Sequence, residues 1–142
     1  MVVDGALARS AARVRAAGQA CQCDLPEGPL PIAGDPWQLT QVVQRLLENA
    51  SRFSPIAARI ALAVRTRAGS IELTVRDEGA GIAPDQLEAI FELPREPRSG
   101  EGLGISLFLA RAWVQAHGGH LTARSDGAGA GSEFLMQLPR PP

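Results

Sequence analysis

The chain has 142 residues, 45% of them hydrophobic and 20% charged, with a net charge of −1. That is the length and balance of one soluble domain, hardly two. It excludes a nucleic-acid or membrane-surface protein driven by basic charge, and no run approaches the roughly 18 apolar residues of a membrane span or forms a signal peptide.

Val3, Leu7, Ala11 and Val14 recur at helical spacing, which predicts a first helix to about Ala17. Met1 leads straight into that pattern, as in a piece of something longer. "ACQCDLPEGPLPIAG" reads as a strand and a proline-rich turn. Its two cysteines, Cys21 and Cys23, share a face if the segment is extended; a metal or redox reading asks for more ligands or a longer spacer, so plain packing or exposure is the simpler one. "GDPWQLTQVVQRLLENASRFSP" is the strongest helix, with Asp35 as N-cap, Pro36 at the first position and Pro55 beyond its end.

Strands Ile60 to Arg67 and Ser70 to Asp77 follow, joined by the tight connection "RAGS". Pro84 to Phe91 reads as a short helix and "ELPREPRSGEG" as a loop. From Leu103, apolar positions Leu107, Ala110, Val114 and His117 mark a helical face that Gly118 and Gly119 stop. "HLTARS", a glycine turn and "EFLMQLP" close the chain as a hairpin. Helices interleaved with hairpins predict an α+β two-layer sandwich, with helices on one face of a mostly antiparallel sheet.

Three places carry chemistry. Asp77 falls on the apolar parity of its strand, directly before glycines. A buried carboxylate costs several kcal/mol unless it finds donors, so it needs glycine-turn N–H groups or a ligand amine. From this stretch alone, an aspartate that starts a turn and bends to solvent is the simpler reading. On the long helix, Leu39, Val42, Val43, Leu46, Leu47, Ala50 and Phe53 share one arc. Asn49 lies on its edge with Arg45 and Arg52 beside it, while Glu48 points to the opposite, solvated side. An amide oxygen between guanidinium groups suits a polyphosphate and its Mg²⁺, although an ordinary solvated border explains the pattern too. Last, Gly100, Gly102 and Gly104 in "SGEGLGIS" sit at a helix mouth, where free N–H groups meet anions. They match neither the Rossmann fingerprint nor the P-loop.

Taken in order, "LLENASRF", "DEGAGI", "IFE", "GEGLGI", "HGG" and "GSEFLMQLP" resemble the catalytic ATP-binding domain of bacterial sensor histidine kinases. Gyrase-type, mismatch-repair and heat-shock chaperone ATPases share that superfamily. The resemblance spans about Asp35 to Pro139, with residues 1–34 as a lead-in, and implies one domain of the Bergerat-type ATP-binding fold over residues 1–142. It implies that Asn49 coordinates Mg²⁺, that Arg52 meets phosphate and that Phe53 lies beside the nucleotide. Asp77 would accept a hydrogen bond from the adenine amino group, supplying the donor the strand lacks. Gly79 and Gly81 would let the backbone pass close to the base, and Ile82 would wall its pocket. Phe91 would anchor an ATP lid whose far hinge is Gly100, Gly102, Leu103 and Gly104.

The implied activity is transfer of the γ-phosphoryl group of Mg–ATP to a histidine on a separate dimerisation domain, with a response regulator downstream. The expected setting is the cytoplasm, with any membrane anchor outside this domain. Departures from the family leave two further readings: a catalytically weakened nucleotide-binding regulatory module, and a serine kinase of the anti-sigma-factor type. Arg45 stands where these kinases often have a second asparagine and hydrolysing relatives a glutamate. An arginine stays protonated and cannot act as a base, which argues against self-contained hydrolysis. The lid, Glu92 to Ser99, is short; Arg95 and Arg98 could swing to the γ-phosphate, although loop arginines are more often solvated, and Glu101, between lid glycines, is unfavourable near phosphates unless it faces out. His117 reads as structural, and Trp37 and Trp113 as packing or partner-surface residues.

Overall fold

The computed structural model describes residues 2–26, 34–92, 107–127 and 129–140. Helix α1 (Val2–Ala16) leads into strand β1 (Ala20–Asp24). Helix α2 (Pro36–Phe53) crosses over to β2 (Arg59–Arg67), which turns tightly into β3 (Ser70–Asp77). After helix α3 (Leu107–Ala116), β4 (His120–Arg124) and β5 (Ser132–Pro139) form the closing hairpin. The five strands lie in the order β1-β2-β3-β5-β4. Among the described residues only β1 and β2 run parallel; the other neighbours are antiparallel. The fold is the predicted α+β sandwich.

One departure is local. The stretch Pro84 to Phe91 is not a continuous helix but two 3₁₀ turns, Pro84–Gln86 and Ala89–Phe91. With no second turn to share bonds with, a segment this short does not sustain α-helical pairing.

Alternation sets the layers. Ile60, Leu62 and Val64 on β2, Ile71, Leu73 and Val75 on β3, and Phe134, Met136 and Leu138 on β5 are buried beneath the helices. Their neighbours carry Arg59, Arg65, Glu72, Arg76 and Glu133 on the opposite face. The α2 stripe of Leu39, Val42, Val43, Leu46, Leu47 and Ala50 fills the core from above, as its periodicity demands. Asp35 starts that helix, accepting the backbone N–H groups of Trp37 and Gln38 at 2.9 and 3.1 Å. Gln19 locks the far end: its amide donates to Ser51 O at 3.0 Å and accepts from Ser51 Oγ at 2.6 Å.

His117 has the structural role its position suggested. Its Nδ1 donates to Trp113 O at 2.7 Å, and Nε2 accepts the Asp35 N–H at 3.0 Å. This pair of partners selects the neutral Nδ1–H tautomer. The ring ties the start of α2 to the end of α3, where Gly118 and Gly119 donate back to Gln115 O and Val114 O and close the helix. Trp37 and Trp113 meet at the same seam, ring centroids 5.7 Å apart.

Candidate functional site

Asp77 is the last residue of β3 and is 4% exposed. It does not bend to solvent, as the simpler sequence reading had it. Nor does it wait for a ligand to supply its first donor. Oδ1 accepts the Gly79 N–H at 2.8 Å and the Ser132 N–H at 3.3 Å, and Oδ2 accepts Ser132 Oγ–H at 2.7 Å. A carboxylate has about four acceptor directions; among the described residues three are filled, and the fourth lies on Oδ2. The chain's own donors carry the cost of burying the acid.

The loop after Asp77 is held from both sides. The Ala80 N–H donates to Phe53 O, the last carbonyl of α2, at 3.2 Å. A Cβ on Gly79 would lie 2.1 Å from that same oxygen. On the other side, the β4–β5 turn is stitched to the loop. Gly129 and Gly131 donate to Ala80 O and Gly79 O at 2.7 and 3.2 Å. Ser125 Oγ accepts the Ile82 N–H at 2.9 Å and donates to Gly131 O at 2.7 Å. Gly81 has φ +77°, and a Cβ there would lie 2.0 Å from Gly127 O. Both loop glycines are therefore required by the protein's own packing. Gly79→Ala is expected to lower unfolding free energy by at least about 1–3 kcal/mol through this overlap, read as a shift in chemical denaturation midpoint.

Asn49 lies about one helical turn before Phe53, so it stands on the end of α2 that abuts the Asp77 loop. It is 8% exposed, and its amide makes no hydrogen bond with another described residue. Arg45, one turn earlier on the same side, and Arg52 are both half-buried. Glu48 is half-buried as well rather than on a solvated face, and accepts the Gln44 amide at 3.0 Å. Phe53, expected within the buried arc, is 50% exposed, because the helix ends there beside the loop instead of over the sheet. Its ring is accessible to a ligand. Ile82 is half-buried against the core.

Phe91 is 1% exposed and meets Phe134 edge-on at 6.2 Å. The Arg111 guanidinium lies 4.6 Å over its ring and pairs with Glu88 at 3.0 Å. A segment leaving Phe91 thus starts from a fixed point. Gly100, Gly102, Leu103 and Gly104, expected to form the far hinge of a lid, lie with Arg95, Arg98 and Glu101 outside the described residues.

Two serines complete the site that sequence reasoning did not single out, Ser132 and Ser125. The only signal for them is position: each flanks the glycine turn of the last hairpin, "SDGAGAGS".

Among the described residues no three His, Cys, Asp or Glu side chains converge to hold a metal. A single hard amide oxygen at Asn49 fits Mg²⁺, which keeps waters and takes most of its ligands from substrate phosphates.

The model of the histidine kinase-, DNA gyrase B- and HSP90-like ATPases matches residues 34–142. The histidine protein kinase DivJ of Caulobacter vibrioides is 35% identical over 120 residues, 81% of this chain and 20% of that protein. The chain thus spans about a fifth of that curated relative. The mycobacterial sensor histidine kinase MprB superposes with a TM-score of 0.82 at 30% identity, covering 99% of this chain and 93% of that one. Full-length ShkA, solved in complex with AMPPNP, superposes with a TM-score of 0.81 at 26% identity, covering 98% of this chain and 29% of that one.

Proposed function

The chain belongs to the histidine kinase-, DNA gyrase B- and HSP90-like ATPase family, and from that premise we propose that it is the Mg–ATP-binding catalytic domain of a sensor histidine kinase. It passes the γ-phosphoryl group to a histidine on a separate dimerisation domain, and a response regulator takes the phosphoryl group onward. The observation that carries this reading is Asp77: a buried acid held by three internal donors, with one acceptor direction left for the adenine amino group. The AMPPNP complex of the related ShkA supports a nucleotide in this fold.

Residues 1–142 act as one unit in this reading. Gly79, Gly81 and Ile82 hold the backbone that borders the base, and the exposed Phe53 ring flanks the nucleotide. Asn49 would hold Mg²⁺ and Arg52 would meet phosphate; Gly100, Gly102, Leu103 and Gly104, outside the described residues, are proposed as the lid's phosphate-binding glycines and their neighbour. Mg²⁺ neutralises charge on the β- and γ-phosphates when bound. The chain's own contribution is positioning: the helix-end amide and the sheet-end acid fix the two ends of the nucleotide. The acceptor imidazole nitrogen forms the new N–P bond as the bond to the ADP oxygen breaks. No described helix is long and apolar enough to cross a membrane, and an ATP-fed reaction belongs in the cytoplasm.

A second reading rests on Arg45, half-buried one turn from Asn49. A cation there competes with a metal for the same phosphates, which suits a module that binds nucleotide without transferring it. One assay separates the two. The chain is joined to a dimerisation helix pair bearing a histidine and given γ-labelled ATP with Mg²⁺. Acid-labile label on the histidine supports the kinase; ATP binding without label supports the regulatory module.

A further inference from the structure

Cys21 and Cys23 stand apart from the nucleotide site, on the edge strand β1. Their register partners are Ile60 and Leu62, both core residues, so both thiols point to the helix-covered side of the sheet. Cys21 is half-buried and lines a cavity of about 240 Å³ with Leu7, Val14, Gln19 and Leu47. Cys23 is exposed, and the two Sγ atoms are 4.0 Å apart. From sequence, plain packing was the simpler account; the shared face and the sulfur separation change the balance.

Two chemistries could use such a pair, and geometry decides between them. A disulfide needs Cβ atoms about 3.5–4.5 Å apart, whereas a strand rising about 3.3 Å per residue sets alternate Cβ atoms about 6.6 Å apart. Closing an S–S bond would pull β1 out of its ladder with β2. A bridging atom needs no such movement. With metal–sulfur bonds of about 2.3 Å, sulfurs at the observed separation subtend about 120° at the metal. That is a trigonal angle, and the exposure of Cys23 leaves the pair open to a third ligand from solvent.

We propose that Cys21 and Cys23 form a two-thiolate clamp for a soft, thiophilic d¹⁰ cation of the Cu(I) class, completed by one small exogenous ligand. No cluster of three or more His, Cys, Asp or Glu exists among the described residues to build a four-coordinate zinc cage. Soft thiolates with low coordination favour Cu(I) instead. Binding forms two S–M bonds, releases two thiol protons and changes no oxidation state.

The test uses the reduced full chain without oxygen, Cu(I) supplied as its acetonitrile complex, and bicinchoninate as competitor. The expected result is one Cu(I) per chain, an ultraviolet sulfur-to-metal band, and at least about 100-fold weaker binding in Cys23→Ser. Cys23 is exposed, so this variant keeps the fold even if Cys21→Ser does not; circular dichroism checks both. The clamp is refuted if the competitor strips all the metal, if Cys23→Ser binds as tightly, or if one metal bridges two chains. Quantitative intrachain disulfide on diamide treatment, with the fold intact, also overturns it.

Discussion

Asp77→Asn is expected to weaken ATP binding by about 5–150-fold, the cost of losing a charge-assisted hydrogen bond worth about 1–3 kcal/mol. The asparagine oxygen can still accept from Gly79 and Ser132 N–H, and the Ser132 hydroxyl can rotate to accept from the new NH₂ group. The loop therefore keeps its anchors. What changes is the free direction on the outer atom: a donor now stands where the adenine amino group also donates. GTP, with an acceptor at that ring position, is expected to suffer less, so the preference for ATP over GTP narrows. Calorimetric titration of both nucleotides checks this, and undiminished ATP affinity removes the adenine contact from the reading.

Asn49→Ala separates metal from base. The amide has no partner among the described residues, so its removal costs the fold little beyond a small cavity. ATP binding measured in EDTA is expected to stay near the unmodified value, while the increment added by Mg²⁺ disappears. Phosphotransfer to a histidine domain is expected to drop by about 100-fold or more, since even indirect supports of a metal cost about 10–100-fold when lost. A full Mg²⁺ increment in the variant would show that Asn49 is not the ligand.

The regular elements were legible because their signals are local. The helix Pro36–Phe53 announced its cap, its stripe and its stop within its own residues. The hairpin Arg59–Arg67 and Ser70–Asp77 showed its alternation in the same way. Asp77 stood out for breaking that alternation, which is why it could be questioned at all. Its answer was not legible, because the hydroxyl that satisfies it is Ser132, 55 residues further on. Only the β3–β5 register, Asp77 opposite Ser132, brings the two together. Periodicity does not tell which hairpins become neighbours. The packing constraint on Gly79 was not legible for a similar reason. Its first constraint is the carbonyl at the end of a helix far back in the chain, before any ligand arrives. The exposure of Phe53 was hidden likewise, since a stripe continues in sequence after the surface it covers has ended.

The pairing of Asp77 with Ser132 also bears on biosynthesis. Synthesis delivers the acid 55 residues before the serine that keeps it satisfied. Until the final strand emerges, the carboxylate lacks two of its three contacts and the flanking glycine loop lacks one wall. The acid is therefore fully satisfied only once residue 132 has emerged and β5 has paired with β3.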